Sequence, residues 1–219
     1  MGFEVAKPEL LTDNPFKLIG SDWMLITAGT PESLKIPVTN GSGSSIVKDE
    51  GYPNRSLTPQ KGAENSPAPG FNTMTASWGG LGILWERKVA TCFIRPTRYT
   101  FEFAERSTYF TLSFFEEKYR KALTYCGTHS GKNTDKVKGS GLTPVKEKSF
   151  IYYEEARLVL ACRKIYSHDI NPERFLDPKI DDMYPQKDYH RMYIGEIVKC
   201  LVKGPGQGRD SNDPSGTSG

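Results

Sequence analysis

Short runs of β-branched and aromatic residues, bounded by glycine, proline or asparagine, recur along this chain with little helical period between them. They are WMLITAG at 23–29, NTMTASW at 72–78, VATCFI at 89–94, TYFTLSF at 108–114, FIYY at 150–153, and residues 156–165 and 190–202. Runs of this length and composition suit strands of a half-buried sheet. Two segments read as helices: residues 100–106, and residues 119–126, where Tyr119, Ala122, Leu123 and Cys126 recur at helical spacing. Ser113 stands three residues before Glu116, the spacing of a capping box for the second helix, and Gly127 is expected to stop it. GGLG at 79–82 is expected to bend the chain between strands. The alternation that specifies a doubly wound sheet is missing, so the pattern predicts an all-β barrel with minor helices.

At 219 residues the length suits one domain. That domain is expected over residues 1–203, interrupted at 31–70 by a stretch of Ser, Gly, Pro, Asn and Lys with scarcely an aromatic residue. Such a composition cannot offset the entropy of ordering, so a flexible insertion is expected there. Residues 204–219 are rich in Gly, Ser, Pro and Asp and read as a disordered tail.

The 29 basic and 26 acidic residues leave a formal charge of +3, too small a footprint for a polyanion such as nucleic acid. No run approaches the ~18 apolar residues of a membrane span, and the first residues lack the apolar core of a signal peptide. A cytoplasmic protein is expected. Cys92, Cys126, Cys162 and Cys200 lie far apart, without C-x-x-C spacing or a nearby histidine cluster, which argues for buried thiols and against a metal site.

Several segments carry candidate chemistry. GTHSGKN at 127–133 resembles a P-loop, but it is one residue short, has Asn133 where a magnesium-binding hydroxyl belongs, and follows a helix. It remains a turn with Lys132 and Lys136 nearby, suited to an anion or simply to solvent. RPTRYT at 95–100 places two guanidinium groups and two threonine hydroxyls where a strand end opens into a helix, the setting for a phosphomonoester. A surface turn with the arginines paired to Glu102 and Glu105 is the alternative. Residues 72–78 offer small polar side chains on a strand edge, against which a flat heterocycle could pair while Trp78 or Trp85 covers one face; an ordinary strand has the same residues. There is no G-x-S-x-G, and His129, His168 and His190 form no H-E-x-x-H, so hydrolytic chemistry has no foothold.

Taken in order, NTMTASWG at 72–79, IRPTRYT at 94–100, FTLSFF at 110–115, YRKAL at 119–123, SGKNTDK at 130–136, GLT at 141–143, Glu155-Ala156 and residues 190–197 resemble the flavin reductase-like, FMN-binding split-barrel family, in the branch similar to flavoredoxin. The resemblance covers about residues 14–30 and 71–203. It implies a homodimeric split β-barrel with FMN near the subunit interface. Met74, Thr75, Ala76 and Ser77 would line the isoalloxazine, with Asn72 and Trp78 beside them as further cofactor-binding residues, and Arg95, Arg98, Tyr99 and Thr100 would hold the phosphate. Ser130 and Lys136 would close the phosphate side, with His190 beside the flavin as the candidate catalytic residue. The activity implied is an NAD(P)H-dependent flavin reductase or related oxidoreductase, with NADH or NADPH as donor. The alternative is an FMN-containing electron-transfer protein reduced by a partner protein. The 31–70 segment is longer than the family pattern.

Overall fold

In the computed structural model, which describes residues 2–29 and 70–204, the runs read from the sequence become strands in which alternate side chains enter two separate apolar clusters. The elements are β1 (Phe3–Ala6), β2 (Met24–Gly29), β3 (Phe71–Ala76), β4 (Gly79–Leu84), β5 (Arg87–Ile94), α1 (Tyr99–Arg106), β6 (Tyr109–Phe114), α2 (Arg120–Thr128), α3 (Lys136–Ser140), β7 (Pro144–Lys146), β8 (Ile151–Tyr153), β9 (Leu158–Asp169) and β10 (Arg191–Lys203). The expected insertion and tail lie almost entirely outside the described residues.

Hydrogen bonding runs β3-β2-β6-β9-β10-β5-β4, with β1 added to β10, and every pair is antiparallel. The two long strands hold this together. β10 pairs with β9 along most of its length, with β5 through residues 191–196 and with β1 through residues 200–203. A residue with Cβ would not fit at Gly195, since that atom would stand 2.6 Å from Cys162 Cβ and 2.7 Å from the Phe110 ring. β7 and β8 form a separate small ladder. The chain is mainly β with minor helices, a split barrel.

β2 is buried at every position because both of its faces are covered. Met24 and Ile26 enter the cluster that also holds Phe110, Leu112, Phe114, Leu160, Cys162 and Tyr193. Leu25 points the other way, toward Leu123, Cys126, Tyr153 and Val159, under α2 and β8. This is the period of two that a strand imposes. All four cysteines are free and buried.

Three local expectations are corrected. GGLG does not bend the chain: residues 79–84 form β4, paired with β5, and the reversal falls at Trp85 and Glu86, whose φ angles of 50° and 57° suit a tight hairpin turn. Gly79 serves close approach instead, since a Cβ there would lie 2.6 Å from the Thr91 carbonyl oxygen. Ser113 caps no helix, because it is a buried residue of β6, opposite Leu25 and Val159; α2 begins only at Arg120, after a 3-10 turn at Glu117–Tyr119. Gly127 lies within α2, where it lets the helix pack close to Thr75.

Candidate functional site

β3 ends the sheet path, so one of its edges pairs with β2 and the other is left to the surrounding helices. Along that second edge lies an open groove of about 230 Å³, with Trp23, Thr75, Ala76 and Ser77 on one side and Leu123, Thr124, Gly127 and Thr128 of α2 on the other. Thr75 fixes the spacing by donating its hydroxyl to the Leu123 carbonyl. Farther back along β3 a small recess of about 30 Å³ adjoins Asn72, Thr73, Tyr99, Gly131, Lys136 and Tyr153.

Two cations lie by these spaces, Lys136 in the lining of the recess and Arg98 on the Gly127 wall of the groove. Arg98 is the residue before α1, and its Nη2 donates to the Gly127 carbonyl at 2.8 Å, at the wall of the groove. Lys136, 6% exposed, donates from Nζ to the carbonyls of Thr73 at 2.7 Å and Cys126 at 2.8 Å. Burial brings the Lys136 ammonium down to about 8, and the Arg98 charge acts in the same direction. The Arg98 guanidinium is also lowered, by burial first and then by Arg95. Among the described residues neither cation forms an ion pair with a carboxylate, an unusual state for a charge as buried as Lys136.

The first turn of α1 is tied to β3, since Asn72 Nδ2 donates to the buried Thr100 Oγ1 at 2.8 Å. Tyr99 packs edge-on to Phe103 and carries Lys132 over its ring. The structure therefore brings Asn72, Thr75, Ala76, Ser77, Arg98, Tyr99, Thr100 and Lys136 to one strand edge. Met74 contributes only backbone there, because its side chain is in the barrel core. Ser130 lies in the turn after α2, where its hydroxyl accepts from the Lys132 amide at 3.3 Å.

Arg95 is directed elsewhere. It donates to Asp188 at 2.7 Å and to the Met183 carbonyl at 2.9 Å, and Thr97 donates to the other Asp188 oxygen at 3.1 Å. Neither arginine of this segment pairs with Glu102 or Glu105 among the described residues; Glu102 meets Lys132, and Glu105 meets Arg191. His190 is nearly buried, its Nδ1 sharing a hydrogen bond with Tyr184 Oη at 2.9 Å and its ring 4.8 Å from that of Trp78. Burial, followed by the Arg95 charge, pulls the imidazole down to about 4, so it is neutral at pH 7.

Sequence reasoning missed Trp23 and the α2 wall at Leu123, Thr124, Gly127 and Thr128. Trp23 sits at φ 66° with Arg120 over its ring at 4.4 Å, and nothing in its sequence neighbourhood signals this. The α2 wall faces the groove through tertiary packing alone. Among the described residues there is no group of three or more His, Cys, Asp or Glu able to hold a metal, and no helix long and apolar enough to cross a membrane.

No curated protein matches the chain. Solved structures do. An FMN-binding domain of a flavin reductases-like enzyme from Shewanella baltica is 13% identical with a TM-score of 0.52, over 92% of this chain and 77% of that one. Flavoredoxin of Desulfovibrio vulgaris is 19% identical with a TM-score of 0.52, over 90% and 77%. An NADH:FAD oxidoreductase of Streptomyces globisporus is 11% identical with a TM-score of 0.50, over 91% and 87%. At these identities the likeness is one of fold. The family model described as Flavin reductase like domain matches residues 63–211, well over half of the sequence, and the chain therefore belongs to the flavin reductase-like domain family.

Proposed function

We propose that the β3 edge binds FMN and that the protein is an NAD(P)H-dependent flavin reductase-type oxidoreductase. The observation that carries the cofactor reading is that two cations by the open strand edge, the half-buried Arg98 at the groove wall and the buried Lys136 at the adjoining recess, meet no carboxylate among the described residues. A phosphomonoester supplies the missing negative charge, and the N-terminus of α1 favours the same sign. Arg98, Lys136, Tyr99 and Thr100 would hold the phosphate end. Residues 75–77 and Trp23 would flank the ring system with backbone groups, hydroxyls and one aromatic face.

When bound, the flavin supplies the hydride and electron chemistry, so the chain needs no acid–base dyad of its own. Its residues orient the ring, and the nearly buried neutral His190 with Trp78 shapes the corner just past Ser77. The nicotinamide donor is supported by the family alone, which keeps a second reading: an FMN electron carrier reduced by a partner protein. A dimer is supported by the exposed β4 hairpin, where Ile83 is 72% and Trp85 57% exposed, and analytical ultracentrifugation measures it directly.

The visible spectrum of the purified protein, with chromatographic identification of any released flavin, tests the cofactor. A colourless protein that takes up no added FMN ends the reading. Anaerobic mixing with NADH and then NADPH separates the two activities: bleaching of the bound flavin supports the reductase, and an unchanged spectrum with both leaves the carrier.

A further inference from the structure

Residues 170–189 leave the sheet at the end of β9 and return at the start of β10 as a strap shaped by two 3-10 turns, Pro172–Arg174 and Pro178–Met183. Its inner side is aromatic: Phe175 and Tyr189 pack on the buried Tyr184, with ring centroids 6.2 and 4.9 Å away. The strap's hold on the barrel is concentrated on Arg95. That guanidinium donates to Asp188 and to the Met183 carbonyl, and lies over the Tyr184 ring at 4.9 Å. Thr97 adds its hydroxyl to the second Asp188 oxygen. From Tyr184 the contacts run on, through the hydrogen bond to His190 and the His190 ring, to Trp78.

We propose that Arg95 is a positioning residue and no phosphate ligand: with Asp188 it fastens the strap across the Trp78–His190 corner and holds the His190 ring at the end of the flavin groove. Arg95 and Arg98 are three residues apart in one motif, yet their charges are treated differently. The Asp188 carboxylate answers Arg95, taking both its Nη1 and the Thr97 hydroxyl, the donors that a phosphate would need. Among the described residues, Arg98 donates to a backbone carbonyl and to no carboxylate. An external phosphate at Arg95 would have to displace the strap's own carboxylate, whereas one at Arg98 has no carboxylate to displace among the described residues. The statement about the flavin rests on the cofactor reading above; the fastening does not.

The test uses the full chain with Arg95→Ala, Asp188→Asn and Arg98→Ala. Three readouts are taken: FMN affinity by titration, the rate of tryptic cleavage after Arg174, Lys179 or Lys187 without added flavin, and the ring NMR signals of His190 among the three histidines. Arg95→Ala and Asp188→Asn are expected to speed strap cleavage about tenfold or more, since cleavage follows the population of opened strap. Both shift the His190 signals and leave the FMN dissociation constant within about threefold of the parent. Arg98→Ala raises that constant about tenfold or more and leaves cleavage unchanged. If Arg95→Ala weakens FMN as Arg98→Ala does while Asp188→Asn has no effect, Arg95 is a phosphate ligand and the proposal is overturned. Unchanged cleavage and unchanged His190 signals in both strap variants overturn it as well. A parent protein that binds no FMN removes the cofactor reading, and the cleavage and NMR arms still decide the fastening.

Discussion

Asn72 and Thr100, twenty-eight residues apart, are joined by a buried hydrogen bond of 2.8 Å from the Asn72 amide to the threonine hydroxyl. It locks the start of β3 to the first turn of α1, and so sets where Arg98 stands relative to the groove. Asn72→Ala leaves a buried hydroxyl without its donor and is expected to lower stability by ~1–3 kcal/mol in urea unfolding. A double-mutant cycle with Thr100→Val isolates the pair. Simple additivity of the two changes would show that the bond does not couple the two elements.

Arg98→Ala is expected to weaken FMN binding by ~1.5–3 kcal/mol, the range for a hydrogen bond to a charged group. Flavin fluorescence titration measures it. Arg98→Lys restores only part of the loss, because the guanidinium fork is replaced by a point charge.

Lys136 gives stability a distinctive pH dependence. Its value in the fold, about 8, is depressed from 10.5 by burial, so between these values the unfolded chain binds more protons than the native one. The contribution of this group to stability therefore rises as pH increases from about 8 toward 10.5, and is lost again as pH falls from 10.5 to about 8. Denaturant unfolding of the parent and Lys136→Met at several pH values checks the sign: the difference between them moves in favour of the parent as pH rises. A difference independent of pH would place the lysine at its ordinary value.

Gly195→Ala drives a Cβ to 2.6 Å from Cys162 Cβ and 2.7 Å from the Phe110 ring, between the two longest strands and the core. Overpacking of this kind is expected to lower stability by ~1–3 kcal/mol. Thermal unfolding of the variant reads it, and an unchanged midpoint would mean that β9 and β10 shift apart freely at this register.

The thiols should be silent in the folded protein. Burial pushes Cys200 up to about 11, and raises Cys92, Cys126 and Cys162 as well. A chromogenic disulfide reagent at pH 8 is expected to find no fast-reacting thiol in the native state and four after denaturation.

The strands were legible because their information is local. Alternation in VATCFI and TYFTLSF demands a period of two wherever the sheet runs, and residues 23–29 needed only a cover on both sides to become β2. Glycine and serine were ambiguous for the converse reason. Gly79 and Gly127 carry no side chain, so their sequence neighbourhood says only that something is allowed there; the close passage of Thr91 and Thr75 decided what. Ser113 had capping-box spacing, yet pairing on both edges of β6 satisfied its backbone first.

The same division runs through the site. By itself the sequence determined that a strand begins near residue 72 and that 95–100 put two arginines where a strand gives way to a helix; the fold placed that strand, Phe71–Ala76, at the end of the sheet. It also determined the barrel class, since those patterns repeat at strand period. Only the tertiary structure decided that Arg95 turns to Asp188, ninety-three residues on, while Arg98 turns to the groove. Two guanidinium groups three residues apart look alike in sequence; which one meets a carboxylate depends on where a distant strap returns to the sheet.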